Sequence, residues 1–237
     1  LTPEADISEV MGAIQDVLDE SIATEGYLIR EPPAAYDTGG PVDLSRIDFE
    51  ALQQRFRQGR KRTEAEKLRG AIGGKLRQMV RLNRTRTDYL EKFQKLIDEY
   101  NAGAMDVDLL FAKLLAFTAE LNAEEQRGIA EHLTEEELAV FDLLTRPELN
   151  LTPQEREAVK QVAHDLLATL KNEKLVLDWR KRQVSRAQVL VTIRDVLDRG
   201  LPDAFSQELY EQKCDILYQH IYDSYYGQGR SVYEAAA

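Results

Sequence analysis

Residues 201–227 read LPDAFSQELYEQKCDILYQHIYDSYYG. Pro202-Asp203 and Glu211-Gln212-Lys213 spell the two halves of a metal-dependent nuclease site, in which the acid and the lysine project toward a metal and its attacking water. The same stretch holds Cys214, which is the only cysteine, His220, and five of the ten tyrosines. Such chemistry requires Glu211 and Lys213 to lie on a strand, where residues two apart share a face. On a helix they point about 200° apart. Ser206 reads as an N-cap, and behind it Tyr210, Cys214, Leu217, Ile221 and Tyr225 recur at helical spacing. Only seven residues separate Asp203 from Glu211, little chain for a turn and two strands. The expectation is therefore a packing helix with no catalytic or metal-binding residue. Its stripe, with Trp179 in LDWRKRQ, serves either as a lid on the core or as a partner groove, since a tyrosine buries its ring and keeps its hydroxyl near water.

Other reaction classes lack their motifs. There is no Gly-x-x-x-x-Gly-Lys-Ser/Thr loop, since Gly70–Lys75 lacks both the spacing and the hydroxyl residue. Neither a Gly-x-Ser-x-Gly elbow nor a His-Glu-x-x-His pair nor paired zinc cysteines occur. His132, His164 and His220 lie far apart and read as packing or surface residues. No cofactor is expected in this segment.

The charge pattern supplies the other candidate. The net charge is -11, yet residues 46–92 carry 14 Lys+Arg against 6 Asp+Glu, leaving 17 against 36 elsewhere. Arg55, Arg57, Arg60, Lys61, Arg62, Lys75, Arg77, Arg81, Arg84 and Arg86 could line a helical hairpin and contact the phosphates of duplex DNA, giving affinity without sequence reading. Equally, they could be a solvated helix pair against acidic neighbours. Tyr89 and Phe93 stand only at the edge of this segment, which argues against a single-strand stacking platform.

The elements that position these residues are helical nearly throughout. Pro3–Ile22 reads as an amphipathic helix, Tyr27–Ile29 as the one short strand, and 30–41 as a breaker-rich loop. Periodicity resumes at Ser45, continues through a basic helix carrying Ala65, Leu68, Ile72, Leu76, Met79 and Val80, and then through 85–103. Gly70, Gly73 and Gly74 in the basic helix suggest a kink or a close neighbour. Thr134 with Glu137, and Thr152-Pro153 with Glu155, form capping boxes that open two helices read as an antiparallel pair across a Pro147 loop. Further helices are expected near 175–179, 185–197 and 206–226. The fold class is a mostly α multi-helix array. Its expected divisions are an acidic lead-in and linker (1–44), a basic helical segment (45–105), an acidic helical core (106–226) and a flexible tail (227–237).

A hydrophobic fraction of 43% with 31% charged residues belongs to a globular chain. Lys113 interrupts the longest apolar run, so no membrane span is expected. The start at Leu1, with no basic and apolar leader, suggests a trimmed piece without a secretory signal. One cysteine fits a reducing cytoplasm.

Several stretches together resemble the C-terminal helical region of the motor and endonuclease (R) subunit of type I restriction enzymes. They are VDLSRIDFEAL (42–52), KRTEAEKLRGAI (61–72), TRTDYLEKFQKLIDEYNAG (85–103), LTEEELAVFDLLTRP (133–147), LVLDWRKRQ (175–183) and KCDILYQHIYDSYYG (213–227), in family order. The resemblance implies a parent that is an ATP- and Mg-dependent DNA translocase and endonuclease, whose nuclease and motor motifs lie outside this chain. It implies that this region docks the motor on the methyltransferase and specificity subunits. It carries no catalytic residue onto any position here.

Overall fold

Thr134 and Thr152 each open a helix as their spacing to Glu137 and Glu155 predicts. In the computed structural model, which describes residues 48–147 and 149–234, each hydroxyl accepts the backbone N–H three residues on at 3.3 Å. Each glutamate in turn accepts the threonine N–H at 2.8 Å. A cap of this kind is worth ~1 kcal/mol.

Among the described residues the chain forms α1 (Phe49–Arg57), α2 (Lys61–Leu82), α3 (Thr87–Asn101), α4 (Val107–Ala130), α5 (Glu135–Thr145), α6 (Pro153–Thr169), α7 (Gln183–Gly200) and α8 (Gln207–Ser224). A three-ten turn, Arg84–Arg86, links α2 to α3, and a π-turn, Leu170–Lys174, extends α6. The mostly α class read from periodicity is the observed one. The helix expected at 3–22, the strand at 27–29 and the loop at 30–41 lie outside the described residues.

The interior falls into two apolar clusters. The first joins α1–α4 through Leu52, Phe56, Leu68, Ile72, Leu76, Phe93, Leu114 and Leu121, with Phe56 and Phe111 stacked at 3.9 Å. The second joins α5–α8 through Leu138, Phe141, Val159, Leu166, Trp179, Ile193, Leu217 and Ile221. Full burial of each such side chain contributes ~1.5–3 kcal/mol.

Four local readings are corrected. First, no separate helix is read from the sequence between Gly103 and Thr134, yet α4 runs from an Asp106 cap whose carboxylate accepts Leu109 N–H at 2.8 Å. The buried residues Leu110, Leu114, Phe117 and Leu121 of α4 recur at helical spacing on one stripe, with Phe111 beside them, while Leu109, Ala112, Lys113 and Ala116 face outward. Second, residues 175–179 are not a helix. The chain turns there, with Asp178 at φ 56°, because Trp179 must reverse into the core, where it is fully buried.

Third, the described part of the expected flexible tail is packed. Tyr225–Gly227 (β1) pairs antiparallel with Arg230–Ser231 (β2), and Val232 and Tyr233 enter the second cluster. The Tyr233 hydroxyl donates to the carbonyl of Leu82 at 2.7 Å, which ties this end to α2. Gly227 makes the return possible. Its φ is +93°, and a Cβ there would lie 2.4 Å from the Val176 carbonyl oxygen and 3.2 Å from the Trp179 ring. Fourth, α2 is continuous across its glycines. Among the described residues nothing lies within 4 Å of a Cβ built on Gly70, and Gly73 would meet only ordinary contacts with Arg77 and Phe93.

Candidate docking surface

Lys213 is turned into the fold rather than toward a metal site. The residue is 2% exposed, and its ammonium donates to the carbonyls of Leu143 at 2.7 Å and Arg146 at 2.5 Å. These carbonyls lie at the C-terminus of α5, where they lack helical partners and a cation also suits the helix dipole. Burial pulls the Lys213 ammonium below its ordinary pKa. Glu211 is exposed on the other side of α8, bonded at 3.2 Å to Gln207, and Asp203 is exposed in the preceding turn. The nuclease spelling therefore brings none of its three residues together. Among the described residues no group of three or more His, Cys, Asp or Glu could hold a metal ion.

The aromatic stripe looks inward. Cys214, Leu217, Ile221, Tyr225 and Trp179 are buried. The Trp179 indole N–H donates to the Tyr225 carbonyl at 3.2 Å, and the Tyr210 hydroxyl donates to the Arg194 carbonyl at 2.9 Å. Burial pushes the Cys214 thiol up, away from the reactive thiolate.

The ten basic residues separate by environment. Lys75 is buried and paired with Glu125. Arg86 is 1% exposed and lies between Glu124, at 2.9 Å, and Glu135. Lys61 pairs with Asp108, and Arg84 with Asp223, each at 2.6 Å. Arg55 is half-buried on α1. Arg57, Arg60, Arg62, Arg77 and Arg81 are exposed.

Arg86 belongs to a chain of alternating charge at the seam between the two apolar clusters. Glu135, Arg86, Glu124, Arg127 and Asp142 follow one another, with Arg127 donating to Glu124 at 2.9 Å and to Asp142 at 2.8 Å. Asn83 adds an amide donor to Asp142 at 2.7 Å. Burial by itself would raise the Glu124 carboxyl, but hydrogen bonds from Arg127 and Arg86 outweigh it and hold the group below its ordinary pKa.

His220 is buried beside this seam. Because the Tyr233 proton goes to Leu82, the His220 Nε2–H donates to the Tyr233 oxygen at 3.1 Å, and Nδ1 faces the Ser224 hydroxyl at 3.5 Å. Burial, helped by the nearby charge of Arg84 and opposed by Asp223, lowers its pKa to about 4. The unfolded imidazole titrates near 6.5, so the unfolded state binds more protons between pH 6.5 and 4, and stability falls as pH falls through that window. The expected loss is about 2 kcal/mol between pH 7 and pH 5. Urea unfolding at the two pH values checks it, and His220→Gln should remove most of the difference. Exposed His164, raised by Glu137, is shifted the other way, and solvent keeps its contribution small.

A different face carries unsatisfied apolar surface. In α7, Val189, Ile193 and Leu197 are buried, while Val184 and Val191 on the opposite side are 70% and 55% exposed. With Ala187 and Gln188 between them, they line a groove of 530 Å³ bordered by Lys174, Thr192 and Asp195. A second groove, between α6 and α7, shares Lys174, Thr192 and Asp195 and continues to Val162 and Arg199. The π-turn supplies Glu173 and Lys174 to this wall, and π-turns recur at functional sites. Sequence reasoning placed a helix at 185–197 and missed this face. The available signal was Val184 and Val191, seven residues apart and out of phase with Val189, Ile193 and Leu197.

Residues 2–219 match the family model for the C-terminal region of type I restriction enzyme HindI endonuclease subunit-like proteins. A protein of Methanocaldococcus jannaschii, assigned as a type I restriction enzyme MjaIXP endonuclease subunit, is 24% identical over 135 residues. The match covers 54% of this chain and 13% of that relative. No solved structure matches the chain. With nearly its whole length inside the family match, the chain belongs to the family formed by the C-terminal region of HindI-like type I restriction endonuclease subunits.

Proposed function

We propose that this chain is a non-catalytic assembly region that docks the motor of a type I restriction endonuclease subunit on its methyltransferase and specificity subunits. ATP, Mg and DNA cleavage belong to the rest of the parent subunit. The outer face of α7 carries this reading. The outer side of α7 exposes Val184 and Val191 among the charged Arg194, Asp195 and Asp198, and its inner face already has the second cluster; exposed apolar residues within a polar rim suit a neighbour. Exposed apolar surface lined by a groove and rimmed by Lys174 and Asp195 is what a protein partner covers. The stripe on α8 supports the same placement by being used up internally.

The double variant Val184→Glu/Val191→Glu tests this surface. Both side chains are exposed, so stability should stay within about 0.5 kcal/mol of wild type. Capture of the variant by an immobilised methyltransferase–specificity assembly should fall at least tenfold. Unchanged capture would remove α7 from the interface.

A further inference from the structure

We propose that the outer face of α2, with the α1–α2 corner, binds the phosphate backbone of duplex nucleic acid. This surface is separate from α7 and does not depend on the docking reading. Arg57 and Arg60 sit at the corner, Arg62 in the first turn of α2, and Arg77 and Arg81 in its last turns. All five are exposed, and none has an ion-pair partner among the described residues. The neighbouring acids are largely committed: Glu66 to Arg69 at 2.6 Å, Glu64 to Lys67 at 3.0 Å and Asp108 to Lys61 at 2.6 Å.

Geometry selects the kind of polyanion. At 100° per residue, Arg62, Arg77 and Arg81 fall within about 100° of arc, whose centre lies about 130° round the helix from the buried stripe of Leu68, Ile72 and Leu76. Along the axis, Arg77 and Arg81 are about 6 Å apart, and Arg62 lies about 22 Å from Arg77. With the reach of two guanidinium groups, the longer span crosses a major groove ~12 Å wide, while the shorter one suits phosphates of one strand. Gly70 lies between Arg62 and Arg77 with nothing among the described residues within 4 Å of a Cβ built on it, so the helix backbone is open to a convex surface there, whereas Gly73 is turned toward Phe93 of α3.

The nearby rings do not suit single strands. Phe93 is buried, and Tyr89 and Phe93 both pack on Phe117, with centroids at 6.4 and 5.9 Å. They are turned into the core rather than offered to unstacked bases. Arginine, with its planar fork, is the preferred phosphate ligand, and the five cations assigned to this surface are all arginine.

The test is fluorescence anisotropy of the full chain with a labelled duplex of arbitrary sequence, across a salt series. Five phosphate contacts predict a log–log salt slope of about -4.5, a roughly 10²–10³-fold loss of affinity from 50 to 200 mM salt. Arg62→Ala/Arg77→Ala/Arg81→Ala should reduce the slope by about 3, with an unchanged circular-dichroism melt because all three side chains are exposed. Arg194→Ala, an exposed arginine on α7, should leave the slope unchanged. No binding at 50 mM salt, a slope the triple variant does not alter, or equal loss in the control would overturn the proposal. Polyglutamate competing as well as unlabelled duplex at equal charge would also overturn it, assigning the surface to an acidic protein instead.

Discussion

Arg86→Ala should lower the unfolding free energy by about 3–5 kcal/mol, a large part of a typical domain's stability. The guanidinium is 1% exposed and is shared by Glu124 and Glu135. Removing it leaves Glu124, 5% exposed, with Arg127 as its remaining partner. The cost comes mainly from the excess negative charge left in the buried seam, where Arg127 must then serve both Glu124 and Asp142 with little help from water. Replacing both partners separates that effect from lost packing. Arg86→Met/Glu124→Leu should be less destabilised than the sum of its single variants, by about 1–3 kcal/mol, in urea unfolding. Additive losses would mean that the pair is not coupled. The seam matters beyond stability because it joins the helices bearing the exposed arginines to those bearing the α7 surface.

Gly227→Ala should cost about 3 kcal/mol or more, through two independent effects. The left-handed φ of +93° strains any Cβ, by ~1–2 kcal/mol. The Cβ would also stand 2.4 Å from a backbone oxygen, that of Val176, which cannot rotate aside as a side chain could. Relief requires the return strand to lift from Leu175, where the Gln228 N–H donates at 3.1 Å, and from the face of Trp179. Gly229 supplies the comparison. Its φ is +77°, but the nearest atom to a Cβ there is a Glu234 carboxylate oxygen at 4.0 Å. Gly229→Ala should therefore cost only the backbone term, about 1–2 kcal/mol. Thermal melts of both variants check the order, and equal losses would remove the steric argument.

The helical frame was legible because its signals are local. Thr134 with Glu137 and Thr152 with Glu155 fix helix starts within four residues of sequence, and the geometry follows from backbone donors that need acceptors. The stripe of α8 was legible in the same way, since Cys214, Leu217 and Ile221 repeat with the helix, while the choice between the core and a partner groove was not. What stayed hidden depends on long-range partners. The turn at Asp178 and the packed return at 227–234 exist for each other, with Gly227 lying against Val176 and Trp179. Charge counting treated Arg86 and Arg77 alike. Only the fold distinguishes a cation enclosed by Glu124 and Glu135 from one facing water. The α7 surface was missed because an exposed valine looks like any other until its opposite face is known to be buried.

The most direct measurement is gel filtration of the purified chain with the methyltransferase and specificity subunits of its own restriction system. Docking predicts one stoichiometric peak containing all three polypeptides, which survives salt concentrations that screen exposed ion pairs because apolar contacts dominate. Elution of the chain by itself, with the methyltransferase–specificity assembly unchanged in position, would contradict the account.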